Sequence, residues 1–188
     1  MTSPRVPLSI LDLVPVSQGS TRQEAFESST ELARRADALG YRRYWVAEHH
    51  GSHAFMASAT SVILGHLAEH TERIRLGSGG VMLPNHAPLM VAEYYGTLAT
   101  LYGDRFDLGL GRAPGTDPMT AAALRRGNPD LNGFASDVVA IIDLLGDARS
   151  LPGGVRAIPG EETRVPVWML GSSTGGAQVA AALGLPYS

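Results

Sequence analysis

The chain has no cysteine. That excludes disulfides, thiolate catalysis and cysteine-bound metal, and it fits a reducing, cytoplasmic compartment. No apolar run approaches the ~20 residues of a membrane-spanning helix. The start, Met1-Thr2-Ser3-Pro4-Arg5, carries one positive charge and no apolar stretch behind it, so no secretory leader is expected. Basic residues do not cluster and the net charge is −3, so neither nucleic acid nor an anionic membrane is expected as a partner. Low-complexity tracts and an interdomain linker are absent as well. What remains is a chain of 188 residues, 44% apolar and 18% charged. This is the balance of a soluble globular protein with one sizeable core, and residues 1–188 are read as a single domain.

Apolar patterning along the chain alternates between strand and helix. Leu8 to Val16 reads as a first strand, ended by Ser17-Gln18-Gly19-Ser20. Thr21-Arg22-Gln23-Glu24 has the spacing of a capping box. Behind it Phe26, Ser29, Leu32, Ala33, Ala36 and Leu39 recur at helical spacing, and Gly40 suits the stop. Tyr41 to Ala47 reads as a second strand and Ala57 to Glu69 as a helix with Val62, Ile63 and Leu67 on one side. A third strand runs from Arg73 to about Met82. Pro88 suits a first helical turn, and Val91, Tyr94, Leu98 and Leu101 form a stripe closed by Gly103. Phe106 to Leu110 is a fourth strand, followed by a long loop from Gly111 to Gly133. A helix with Phe134, Val138, Ile141, Ile142 and Leu145 comes next, then an irregular excursion from Leu151 to Arg164. Val165 to Leu170 is a fifth strand, Ala177 to Leu183 a last helix, and Leu185-Pro186-Tyr187 the approach to a sixth strand. Strands that alternate with helices argue for a parallel sheet with right-handed crossovers. A doubly wound sheet and the first five units of an eightfold barrel both fit the pattern.

Four constellations can carry chemistry. The run Tyr44-Trp45-Val46-Ala47 ends in Glu48-His49-His50, with His53 nearby. Titratable groups at the end of a buried strand are costly unless something uses them, and carboxyl ends of strands are where such folds build sites. The plain alternative is one histidine in solvent and one capping a loop. Carboxylate and imidazole also ligate zinc or iron. Adjacent strand residues face opposite sides, however, so Glu48 and His49 do not converge while the strand lasts, and no metal site is expected. Gly77-Ser78-Gly79-Gly80 marks either tight packing or a close approach of backbone to a ligand. In Gly109-Leu110-Gly111-Arg112, Arg112 is a cation suited to a phosphate or carboxylate, or else a partner of Asp104 or Asp107. Gly171-Ser172-Ser173-Thr174-Gly175-Gly176, before a helix, makes either an anion site or ordinary capping. It matches neither the nucleotide P-loop nor the dinucleotide fingerprint. Taken with Arg112, a phosphate-bearing cofactor explains it best.

The run Trp45 to His50, the run Ile74 to His86, Gly103 to Arg112 and Trp168 to Ser173 together resemble the bacterial luciferase-like flavin-dependent oxidoreductases. The resemblance implies a (β/α)8 TIM barrel, here about its first five β/α units. It implies reduced FMN bound at the carboxyl ends of the strands, and O2 used to oxidise a small organic substrate. In that family the residue at His49 is catalytic, stabilising the oxygenated flavin and assisting proton transfer. The residue at Glu48 lies beside the flavin. Ser78, Gly79 and Gly80 pass against its ring, often with a cis peptide, and Arg112, Ser173 and Gly176 match positions that hold the phosphate or ribityl chain. A separate flavin reductase and a homo-oligomer are further expectations. A deazaflavin (F420) oxidoreductase on the same barrel is one alternative. A catalytically inactive truncated paralogue or partner subunit is another, because a five-stranded arc leaves open edges and an uncovered inner face.

Overall fold

The computed structural model describes residues 6–113, 115–124, 133–147 and 151–188. Its strands are β1 (Ser9–Asp12), β2 (Arg43–Val46), β3 (Arg75–Ser78), β4 (Val81–Met82), β5 (Phe106–Gly111) and β6 (Val167–Leu170). Its helices are α1 (Arg22–Ala38), α2 (Thr60–Glu69), α3 (Pro88–Tyr102), α4 (Pro118–Leu124), α5 (Phe134–Leu145) and α6 (Thr174–Leu183). All the strands pair in parallel, in the spatial order β1, β2, β3/β4, β5, β6. This is an arc of a TIM barrel, about half of one. The approach to a further strand is present too, since Tyr187 bridges Met169 in parallel.

Each strand divides its side chains between two environments, as the pleat requires. Tyr44, Leu76, Phe106, Leu108, Leu110 and Met169 are buried in the core, where Leu64, Leu67, Tyr95, Ile141 and Leu144 of the helices meet them. The intervening residues face the inner side of the arc. There Arg43 and Arg75 both bind Asp107, at 2.9 and 3.0 Å. The Trp45 indole donates to the same carboxylate at 3.3 Å. Trp168 closes the group, edge-on to Trp45 and beneath the Arg43 guanidinium.

The capping box at the start of α1 forms as expected. Glu24 N–H donates to Thr21 Oγ1 at 3.2 Å and Thr21 N–H to Glu24 Oε2 at 2.6 Å. The buried face of α1 differs from the expected stripe: it is Ala25, Ser29, Ala33, Ala36 and Asp37, while Leu32 and Leu39 are exposed. Small residues are needed because the helix lies close enough for Tyr44 to donate to the Ser29 carbonyl at 3.2 Å. Asp37 accepts from the backbone N–H groups of Glu72 and Ile74 at 2.7 and 2.9 Å, and also from that of Arg73. It thereby ties α1 to the start of β3. Val62, Tyr94 and Leu101 are likewise exposed. Here α2 and α3 pack through Ile63, Leu64, Leu67, Val91, Tyr95 and Leu98 instead.

Two further departures concern the loops. The expected loop from Gly111 to Gly133 contains α4, capped where Asp117 accepts from Met119 N–H at 2.9 Å and Thr120 N–H at 3.1 Å. Pro114 and residues 125–132 of that stretch lie outside the described residues. The expected third strand is two strands, β3 and β4, separated by Gly79 and Gly80. The excursion from Leu151 to Arg164 is irregular as expected. It packs on α3 so closely that a Cβ on Gly96 would sit 2.0 Å from Gly160 Cα.

Candidate functional site

The break between β3 and β4 is a bulge. Gly77 pairs with Asp107 and Val81 with Leu110, so four steps on one strand oppose three on the other. A bulge re-aims the chain beside a site. The peptide between Gly79 and Gly80 is cis, the feature that the resemblance associates with this stretch. The Ser78 hydroxyl fills the gap in the ladder, donating to the Gly109 carbonyl at 2.9 Å and accepting from Gly109 N–H at 3.0 Å. Its side chain is therefore committed to the sheet. The inner side of the bulge has no room for side chains: a Cβ on Gly79 would lie 2.5 Å from Leu11 Cδ1 and 3.3 Å from Trp45.

Glu48 follows β2 and is buried. It turns toward the cleft between α2 and α3, which it lines with Thr60, Val81, His86 and Tyr95. Its Oε1 lies 2.8 Å from Nε2 of His50 and 2.8 Å from Nε2 of His86. Its Oε2 accepts from Met82 N–H at 3.2 Å. Burial alone would raise its pKa. The bonds from His86, His50 and the Met82 backbone outweigh that and hold it below the usual carboxylate value.

His49 is half-buried, its backbone N–H bonded to the Ala57 carbonyl at 2.7 Å. Its Nδ1 is buried with no hydrogen-bond partner among the described residues. The loop after β5 reaches this region: Thr116 Oγ1 donates to the His50 carbonyl at 2.9 Å. The ends of β2 and β5 are thus connected.

At the end of β5, Arg112 is exposed. Of the two acids that offered it a structural role, Asp107 is held by Arg43 and Arg75, and Asp104 lies 3.5 Å from Arg75. Arg112 has no ion pair among the described residues. Its guanidinium lies instead beside the first turn of α6, where a Cβ on Gly175 would be 3.7 Å from Nη1. Ser173 takes the N-cap position with extended backbone, but its hydroxyl makes no capping bond. Gly176 sits against Tyr187, whose hydroxyl bonds the carbonyls of Gly171 and Ser173. A free guanidinium and an uncapped helix N-terminus together attract an anion.

The structure therefore gathers His49, the Gly79–Gly80 bulge, Arg112, Ser173 and Gly176 at the carboxyl ends of neighbouring strands. The Glu48 carboxylate lines the cleft between α2 and α3, and the Ser78 hydroxyl bonds Gly109. Sequence reasoning did not single out His86, whose partner lies 38 residues away. Its one signal was its place in the run after the glycines. It also missed Asp107 as a shared partner of two arginines. The arginines that open β2 and β3, Arg43 and Arg75, were the available hint.

An arc of a β/α barrel with its polar groups at the carboxyl ends of the strands is the architecture of a TIM-barrel enzyme. The profile of the luciferase-like monooxygenases matches residues 6–188, and the chain belongs to that family. It is 52% identical over 189 residues to a luciferase-like monooxygenase of Escherichia coli (strain K12), covering 100% of this chain and 56% of that protein. It is 35% identical over 186 residues to the N-acetyl-S-alkylcysteine monooxygenase of Bacillus subtilis (strain 168), covering 96% and 55%. The crystal structure of apo-MsnO8 superposes with a TM-score of 0.90 at 40% identity, covering 97% of this chain and 55% of that one. The chain thus spans about half the length of the relatives it matches. No helix among the described residues is long and apolar enough to cross a membrane.

Proposed function

We propose that this chain supplies the flavin-binding part of a luciferase-like monooxygenase that uses reduced FMN and O2 to oxidise a small organic substrate. The observation that carries the reading is Arg112, which has no ion pair among the described residues and is set against the uncapped N-terminus of α6. That pairing fits a terminal phosphate. The side-chain-free bulge at Gly79–Gly80 fits the close approach of a planar ring.

Reduced flavin, when bound, supplies the electrons that activate oxygen. The chain's own residues do the rest. Arg112, Ser173 and Gly176 hold the phosphate end. Gly79 and Gly80 set the plane in which a ring can lie. His49, with a buried ring nitrogen that has no hydrogen-bond partner among the described residues, holds or moves a proton. Glu48 and Ser78 support this by fixing the segments around the bulge. A separate reductase as the source of reduced flavin and self-association of the chain belong to the same reading. The exposed Val62 and Leu101 on α2 and α3 support self-association.

Anaerobic titration with reduced FMN and reduced F420, with molecular mass followed in parallel, tests this reading. Saturable binding of FMN over F420 is expected. Preference for F420 would move the chain to the deazaflavin branch. Binding of neither would point to a non-catalytic partner.

A further inference from the structure

We propose that Glu48, His50 and His86 form a binding site for one divalent transition-metal ion of the zinc and cobalt class. The three ligand atoms, Glu48 Oε1 and the two Nε2 atoms, all lie within 4.8 Å of one another. They come from three places in the fold: the end of β2, the loop that follows it, and the segment after β4. Two imidazoles and a carboxylate are a donor set that suits zinc, cobalt and related ions.

Backbone hydrogen bonds hold the carboxylate and one of the imidazole-bearing segments in place. Glu48 has its two oxygens divided between two tasks. Oε2 is anchored by the Met82 N–H at 3.2 Å, which fixes the plane of the carboxylate and leaves Oε1 facing both imidazoles. His86 is held at its backbone, its N–H bonded to the Leu83 carbonyl at 2.9 Å. An entry path exists as well. Glu48 and His86 line the cleft between α2 and α3, a cavity of about 450 Å³. An ion held here would take a fourth ligand from water in that cleft.

The expectation of no metal site rested on Glu48 and His49, which do not converge. Glu48 and His50 do, because the strand has ended at Val46. This site is separate from the phosphate position at Arg112 and does not depend on the flavin reading. The ion would replace two N–H···O bonds with two N–metal bonds and one O–metal bond: each neutral imidazole then carries its single proton on Nδ1 and gives its Nε2 lone pair to the metal, and only an imidazolium releases a proton to solvent.

The test is titration of the chelator-treated chain, without flavin, with Zn(II) by calorimetry and Co(II) by visible absorption. One ion per chain is expected, with the intense d–d bands of a four- or five-coordinate cobalt site. His50→Ala and His86→Ala, at partly exposed positions, should each weaken binding by at least ~100-fold. Glu48→Gln should do the same while keeping the side chain's shape. The His66→Ala/His70→Ala double variant removes another pair of neighbouring imidazoles, 4.4 Å apart, and should change nothing. Absence of saturable binding would overturn the proposal. So would an affinity that survives in both His50→Ala and His86→Ala, or that disappears with His66 and His70.

Discussion

Glu48 and His49 are neighbours in sequence with opposite electrostatic circumstances. The Glu48 carboxylate is buried and fully engaged by His50, His86 and the Met82 backbone. The His49 ring has a buried Nδ1 with no partner among the described residues. A buried polar atom without a partner costs roughly 1–3 kcal/mol. The chain carries that cost at the carboxyl end of β2, where a ligand would relieve it.

From this follows the prediction for His49. His49→Ala should lower turnover with reduced FMN and O2 by about 10²- to 10⁴-fold, the usual contribution of a positioned acid–base group. FMN affinity should change little. Turnover and affinity measured on the same preparation check it. Equal losses in both would assign His49 to binding rather than to proton handling.

Asp37 predicts an acid-dependent stability. Burial alone would raise its pKa. Three backbone N–H groups and the nearby Arg73 outweigh burial and hold it below its ordinary value. A depressed folded-state pKa means that the stabilisation is complete above the unfolded value of ~3.9 and is lost as pH falls below it. Asp37→Asn should cost about 1.5–3 kcal/mol at neutral pH. It should also flatten the decline in stability on acidification. Denaturant unfolding at several pH values reads both effects.

Gly109 should tolerate no side chain. A Cβ there would lie 2.1 Å from the Ser78 carbonyl oxygen and 2.6 Å from Leu170 Cδ1. The clash is with backbone that also carries the Ser78–Gly109 bonds. Gly109→Ala should therefore destabilise the chain by at least about 1–3 kcal/mol. An unchanged midpoint of thermal unfolding would show that β3 and β5 separate easily there.

Much of the fold was legible because strands and helices here carry consistent local signals. Thr21 and Glu24 announced α1, Gly103 ended α3, and the glycines after Gly77 marked the bulge. Helix α4 escaped notice because Met119 to Leu124 is short and lacks a periodic stripe. Its Asp117-Pro118 start was the available signal. The exposed Val62 and Leu101 misled for another reason: apolar periodicity says that a face exists, not what covers it. In the candidate site, each cluster was visible, yet its alternatives were not separable. Whether Arg112 paired with Asp107 depended on Arg43 and Arg75, which reach that carboxylate from two other strands. The link between Glu48 and His86 spans 38 residues and follows only from the parallel register.

The account rests most heavily on Arg112 as the phosphate ligand. The most direct measurement compares the affinities of wild-type and Arg112→Ala chains for FMN and for riboflavin, which lacks the phosphate. Loss of a charge-assisted contact should weaken FMN by about ten- to hundredfold and leave riboflavin unchanged. A parallel loss for both flavins, or no loss for FMN, would contradict the phosphate site at Arg112 and α6.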